Sequence, residues 1–197
     1  MNTRINLLLD LDNTLICAEP YEDLTKDEKK KCMKRFKYHD MDGYYLVCER
    51  PYVQDFLDYV FRNFNVSIWT AASKDYATFI LKNIILIKPE RQIDYFFWDK
   101  HCKISRKYKN KTSKNLEILW NILNDKQGLK GYNKGNTLIL DDYDDVYATQ
   151  KCNSIPAKAF QITDKDSDID HFLKKLIPKL KDLKTFPNKC LTVNFHN

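Results

Sequence analysis

An α/β fold, a mostly parallel sheet with helices on both faces, is the architecture this sequence predicts, and three observations predict it. Short apolar runs at residues 5–9, 65–69 and 137–140 each end abruptly in polar residues, as strands buried on both faces do. Segments with apolar residues at helical spacing separate those runs, the alternation expected of a parallel sheet. The chain has 197 residues, 43% of them hydrophobic, which at roughly 100 to 200 residues per domain gives one core and excludes collagen, coiled coil and disordered tail.

The elements follow in order. Residues 5–9 are the first buried strand. Residues 37–48 read as a hairpin, with Asp42-Gly43 as the turn between Phe36-Lys37-Tyr38 and Tyr44-Tyr45-Leu46-Val47. Pro51 suits a first helical turn, and Val53, Phe56, Leu57 and Val60 then recur at i, i+3, i+4, i+7 and predict an amphipathic helix. Residues 65–69 are the second strand, 75–87 helical, 95–98 strand-like, and 113–123 helical with Ser113 as the cap. Residues 137–140 are the third strand. A basic terminal helix over 166–184 carries Phe172, Leu173, Leu176 and Leu180 on one face. The whole, 1–197, reads as a single domain with a flap at about 20–49 and a variable insert at about 88–112.

Composition removes several function classes. The four glycines, Gly43, Gly128, Gly131 and Gly135, spell neither G-x-G-x-x-G nor G-x-x-x-x-G-K-[ST], which argues against a Walker ATPase and a Rossmann dehydrogenase. The six cysteines contain no C-x-x-C pair, and the four histidines share no ligand spacing, so zinc and thioredoxin chemistry are not spelled out, and reduced thiols are expected. The first nine residues carry one Arg and a short apolar run, neither a signal peptide nor a membrane span, so a cytoplasmic or nuclear chain is expected. The charge run 26–37 and the basic tail 171–189 read as solvated helix faces. A formal charge of +6 favours an acidic partner, but no stripe of aromatics interleaved with Arg requires nucleic acid. The 27 Lys, 16 Asn and 16 Ile suit an AT-rich genome, such as that of a protist or a large DNA virus.

Sheets of this kind bind ligands outside the carboxyl ends of their strands. There the first strand delivers Asp10-Leu11-Asp12-Asn13-Thr14, the second Thr70, and the third Asp141-Asp142. Carboxylates crowded in this way repel one another and demand a cation, for which a hard divalent ion with oxygen ligands, Mg²⁺, is suited. D-x-D-x-T alone would arise by chance in about one such chain in eight, so the argument rests on its joint occurrence with the strand-terminal Asp pair 130 residues later.

These residues carry a family resemblance. LLLDLDNTLI, ERPYVQDFL, VSIWTAASKDYA and LILDD together resemble the haloacid dehalogenase superfamily of aspartate-nucleophile phosphatases, and within it the FCP/SCP-type phosphatases that act on phosphoserine in the RNA polymerase II C-terminal repeat. Arg50-Pro51, Trp69-Thr70-Ala71-Ala72 and Tyr76 are marks of that branch, and the resemblance runs from about residue 5 to residue 160. It implies a Rossmann-like, haloacid-dehalogenase-like fold with a small hairpin flap and a small insert. It also implies that Asp10, the backbone carbonyl of Asp12, and Asp142, with Asp141 beside it, hold Mg²⁺.

The chemistry implied is attack of Asp10 on phosphorus to give an aspartyl phosphate. Asp12 then serves as general acid and base, a role that needs a raised pKa such as neighbouring carboxylates supply. Thr14 shapes the loop, and the Thr70 hydroxyl with nearby backbone N–H groups binds phosphate oxygens. Lys114 in SKNLEIL resembles the family's phosphate-binding lysine, with Lys111 the competing assignment. The resulting expectation is a Mg²⁺-dependent phosphoserine/threonine protein phosphatase acting on a phosphoprotein, with peptides like the polymerase repeat as candidate substrates. The alternatives are a phosphatase of small metabolites or nucleic-acid 3′ ends, and a non-catalytic scaffold of the same fold. The short segments around the site favour an open cleft that admits a peptide.

Overall fold

The computed structural model describes residues 4–108, 112–123 and 128–183. Five strands form one parallel sheet: β1 (Asn6–Leu9), β5 (Asn65–Trp69), β6 (Phe96–Phe97), β7 (Thr137–Asp141) and β8 (Ser154–Pro156). Their order across the sheet is β6-β5-β1-β7-β8, so β1 is central and pairs in register with both neighbours, Leu9 opposite Ile68 on one side and Leu140 on the other. Three further strands, β2 (Ile16–Pro20), β3 (Tyr38–Met41) and β4 (Tyr45–Glu49), form a small antiparallel sheet in the order β2-β4-β3.

Both faces of the large sheet are covered, which is why its strands are continuously apolar. Period-two alternation sends Leu7, Leu9, Val66, Ile68, Leu138 and Leu140 into one core. That core is closed by α2 (Val53–Asn63), α3 (Lys74–Ile80) and α7 (Phe172–Lys181) through Phe56, Leu57, Val60, Ile80, Leu173 and Leu176. Leu8, Trp69 and Ile139 point the other way, into a second core with Cys102 of α4 (Asp99–Lys107), Ile118 and Leu119 of α5 (Glu117–Asn121) and Val146 of α6 (Asp144–Thr149). A third cluster packs the small sheet against α1 (Lys26–Arg35) and the 160s through Cys32, Phe36, Cys48, Phe160 and Ile162.

Local chemistry explains the ends. Thr25 and Glu28 form a reciprocal capping box at the start of α1 (Thr25 Oγ1 accepts from the Glu28 amide at 3.2 Å, Glu28 Oε2 from the Thr25 amide at 2.8 Å), and Cys32 is the one buried residue of that basic helix. The hairpin turn has positive φ at both Asp42 (50°) and Gly43 (73°), with the Tyr44 amide donating to the Met41 carbonyl, the primed geometry that matches strand twist.

Three expected elements differ. The expected 113–123 helix shrinks to α5, because the Asn115 amide donates to Ser105 Oγ (2.7 Å) and the Leu116 amide to Gln150 Oε1 (3.0 Å). Those tertiary bonds replace the helical ones, and among the described residues Ser113 caps no helix. The 75–87 helix loosens after Ile80 into a π-helical turn, Leu81–Ile85. The terminal helix is broken by extended Asp170 between a short 3-10 turn, Ser167–Ile169, and α7; residue 184 lies outside the described residues. Cys17, Cys32, Cys48 and Cys102 are free and buried, but Cys152 is disulfide-bonded, against the expectation of reduced thiols throughout. No helix among the described residues is long and apolar enough to cross a membrane.

Candidate active site

The alternation that buries Leu8 also aims Asp10 and Asp141 at the α4–α5 side of the sheet edge. Lys114 enters from that side, on the tacked-down segment before α5. Its ammonium is fully buried and donates to Asp10 Oδ1 at 2.5 Å and to Asp141 Oδ2 at 2.7 Å. Burial alone would lower the Lys114 pKa, but the two carboxylates outweigh it and push it up, so the lysine is a fixed cation. Lys111, the competing assignment, lies outside the described residues.

Among the described residues Asp142 has no such partner. It accepts a 3.3 Å hydrogen bond from Thr14 Oγ1, which also reaches Asp10 Oδ2 at 3.4 Å, so one hydroxyl proton is shared between two carboxylates. Burial first, then the neighbouring Asp10, raises Asp142 to about 7. The same causes raise Asp141, against the opposing pull of Lys114. Asp10, Asp141 and Asp142 each offer an oxygen, and these lie within 4.8 Å of one another. Three hard oxygen donors stand together while the Lys114 ammonium reaches two of them, and a divalent oxygen-seeking ion such as Mg²⁺ fits this donor set and would relieve the repulsion. The three carboxylates could hold it.

Asp12, two residues beyond Asp10, takes a different environment. Its carboxylate accepts a short hydrogen bond from the Tyr76 hydroxyl, in the first turn of α3. Its pKa rises to about 6, and burial is the larger cause, with Asp10 adding to it. Neighbouring charge, the expected cause, is thus secondary. Thr70, directly after β5 on the same edge, is buried; its Oγ1 accepts from the Ala72 amide (3.0 Å), shaping the turn and leaving the hydroxyl proton free to donate. Asp142, alone of these site residues, also lines a groove of about 920 Å³, together with Lys158, Gln161, His171 and Lys175.

A model of the family described as NLI interacting factor-like phosphatase matches residues 5–190. The chain belongs to this phosphatase family. Two relatives of the NLI interacting factor-like chain are viral. It is 47% identical over 175 residues to the CTD phosphatase-like protein 355R of Invertebrate iridescent virus 6, covering 87% of this chain and 94% of the relative. To the protein of the same name from Invertebrate iridescent virus 3 it is 40% identical over 195 residues, covering 94% and 98%. Among solved structures it resembles Fcp1, described as an essential RNA polymerase II CTD phosphatase, with a TM-score of 0.56 at 18% identity. That match covers 92% of this chain, which spans about half (50%) of the Fcp1 chain. The fission yeast Fcp1 R271A variant bound to beryllium fluoride gives the same TM-score, 0.56. The expected phosphatase family is the one found, and the fold is shared with the Fcp1 structure.

Three participants were legible in the sequence only as family marks or loop formers. Thr14 bridges two carboxylates, Tyr76 holds Asp12, and Arg50 is buried beneath the loop with Nη1 donating to the Thr14 carbonyl at 2.9 Å. Tyr143, half exposed beside the carboxylates, has the Lys114 ammonium 5.9 Å from its ring, and no motif or periodicity in the sequence marks it. A positional signal existed for one of them: Tyr76 falls in the first turn of the helix that starts at the same strand-end edge.

Proposed function

We propose that the protein is a Mg²⁺-dependent phosphoserine/threonine protein phosphatase that works through an aspartyl phosphate on Asp10. The observation that carries this reading is the separation of two aspartates two residues apart: Asp10 against the fixed cation Lys114, Asp12 against the neutral donor Tyr76. That is the division of labour a nucleophile and a proton-transfer group require. Asp10, Asp142 and the Asp12 carbonyl, with Asp141 beside them, would hold Mg²⁺. The ion supplies positive charge that lets a carboxylate approach a phosphate dianion.

Asp10 attacks phosphorus in line, the bond from phosphorus to the serine oxygen breaks, and Asp12 gives its proton to the departing alkoxide. Water then attacks the aspartyl phosphate. Asp12 takes the water's proton, inorganic phosphate leaves, and the Asp10 carboxylate is restored. Lys114 offsets charge at Asp10 throughout, and the Thr70 hydroxyl is available to a phosphoryl oxygen. The groove leading away from Asp142 suits an extended peptide, and the CTD phosphatase names of the viral relatives and of Fcp1 make repeats of the polymerase C-terminal type the first substrates to try.

The test is phosphate release with Mg²⁺ from p-nitrophenyl phosphate, from phosphoserine heptad-repeat peptides and from 3′-phosphorylated oligonucleotides. Hydrolysis that EDTA abolishes, with the peptides preferred, is expected. Release from the oligonucleotides alone would overturn the protein-phosphatase reading, and no release from any substrate would overturn the enzyme reading. A smaller effect is expected for Tyr76→Phe. It removes one charge-assisted hydrogen bond, worth about 1.5 to 3 kcal/mol, so kcat should fall at least tenfold, KM should stay near its original value and the fold should persist. Unchanged kcat in steady-state assays would show that Asp12 needs no such partner.

A further inference from the structure

We propose that Asp170, in the extended break before α7, is a positioning residue for the strand-end carboxylates, acting through Arg50 and Thr14. This rests on the phosphatase reading of the site and extends it to a part of the chain that lies outside the motifs.

Arg50 is fully buried, and its guanidinium is held as a fork by one carboxylate: Nη2 donates to Asp170 Oδ2 at 2.9 Å and Nε to Asp170 Oδ1 at 3.4 Å. The carboxylate is itself fixed, because Oδ1 also accepts the Phe172 amide at 2.7 Å. The guanidinium carbon sits 4.5 Å from the centre of the Phe172 ring and 5.5 Å from that of Phe160. These contacts leave Nη1 aimed at one acceptor, the Thr14 carbonyl. The same loop is gripped a second time, by the Phe160 amide on the Asn13 carbonyl at 2.7 Å, and Asn13 is held at a positive φ of 57°.

Thr14 is where this grip becomes chemistry. Its hydroxyl lies 3.4 Å from Asp10 and 3.3 Å from Asp142, both at the long limit of a hydrogen bond, where strength falls steeply with displacement. A small shift of the Thr14 backbone therefore breaks one link and lets the two carboxylates move apart. Asp170 touches no reacting atom. Its effect is to set the spacing of Asp10 and Asp142, and with it their joint hold on a divalent ion. Arg50 is well suited to the relay because only a planar, permanently charged fork can bind a carboxylate twice and still present a third N–H.

The experiment compares wild type with Asp170→Asn, which keeps the acceptor for the Phe172 amide but loses the charge. Asp170→Glu keeps the charge at a different reach and serves also where the Asn variant does not fold. Asp58→Asn is the control: Asp58 pairs with Lys88 at 2.6 Å and Arg91 at 2.7 Å, away from the site. Mg²⁺ binding is measured by titration calorimetry, kcat and KM with p-nitrophenyl phosphate, and stability by thermal unfolding without metal. For Asp170→Asn, Mg²⁺ affinity and kcat should each fall about tenfold or more while KM stays within about twofold. Asp170→Glu should recover part of both, and Asp58→Asn should lower the melting temperature alone. An Asp170→Asn protein with wild-type Mg²⁺ affinity and only a lower melting temperature would make the pair an ordinary structural ion pair and overturn the proposal. If the wild type bound Mg²⁺ but hydrolysed nothing, the phosphatase reading would fail, and the calorimetry would still decide the role of Asp170.

Discussion

Asp10→Asn is expected to abolish turnover while leaving the protein about as stable as the wild type, or more so. The two effects have separate causes. An amide oxygen is a poor nucleophile toward phosphorus, and loss of a nucleophile costs on the order of 10³-fold or more in kcat. Stability responds to a different sum. Asp10 is one of three carboxylates whose oxygens approach within 4.8 Å, and among the described residues only the Lys114 ammonium pairs with any of them, with Asp10 and Asp141. The Asn side chain retains an oxygen for Lys114 and deletes one like charge facing Asp141 and Asp142. The penalty of weakening one buried contact is therefore offset by relief of repulsion, and urea denaturation without metal should place the variant within about 1 kcal/mol of wild type or above it. Addition of Mg²⁺ should stabilise the variant less than the wild type, since one of the oxygen donors has lost its charge. Residual turnover within tenfold of wild type would show that another group attacks phosphorus. A large loss of stability would show that Asp10 holds Lys114 more than it repels its neighbours.

How much of this could be read from the chain depends on how local each cause is. Asp10, Thr70 and Asp141-Asp142 stand at the ends of apolar runs, and a parallel sheet must bring such ends to one edge, so their convergence follows from strand pattern alone. Lys114 is one of 27 lysines and follows no periodic pattern. What carries it to Asp10 is the anchoring of the preceding segment by Ser105 Oγ and Gln150 Oε1, contacts ten and 34 residues apart in the chain, so the helix expected there was the wrong local reading of a non-local arrangement. The terminal helix fails in the same way: by pattern 166–184 is continuous, but Asp170 is drawn out of helical geometry to meet Arg50, 120 residues earlier. α4 was missed because its residues Asp-Lys-His-Cys-Lys-Ile-Ser-Arg-Lys bury only Cys102 and Ser105, too few to mark a face. Where burial alone decides the structure the sequence is legible, and where a buried polar group decides it the partner has to be known.

Lys114→Met should reverse the pattern of Asp10→Asn and give the largest loss of stability of any substitution considered. Methionine matches the length and apolar stem of lysine, so little cavity is created and the lost charge dominates. Its removal leaves Asp10 and Asp141, both almost completely buried, with no ammonium at 2.5 and 2.7 Å. Breaking a buried ion pair from one side costs about 3 to 5 kcal/mol, because the remaining charge is neither solvated nor paired. Unfolding by urea without metal should show that loss, and Mg²⁺ should recover more of it than it adds to wild type, since the ion then stands in for the lost ammonium beside Asp10 and Asp141. Turnover should stay low even when Mg²⁺ restores the fold, by on the order of 10² to 10³, because an ammonium fixed beside the reacting oxygen is absent. The double variant Lys114→Met/Asp10→Asn separates packing from charge. If charge is the cause, deleting Asp10 in the methionine background should regain about 1 to 3 kcal/mol, whereas in the wild-type background it changes little. Equal effects in the two backgrounds would mean that Lys114 holds the site by its shape rather than its charge, and the role assigned to it at the phosphoryl group would fall with that result.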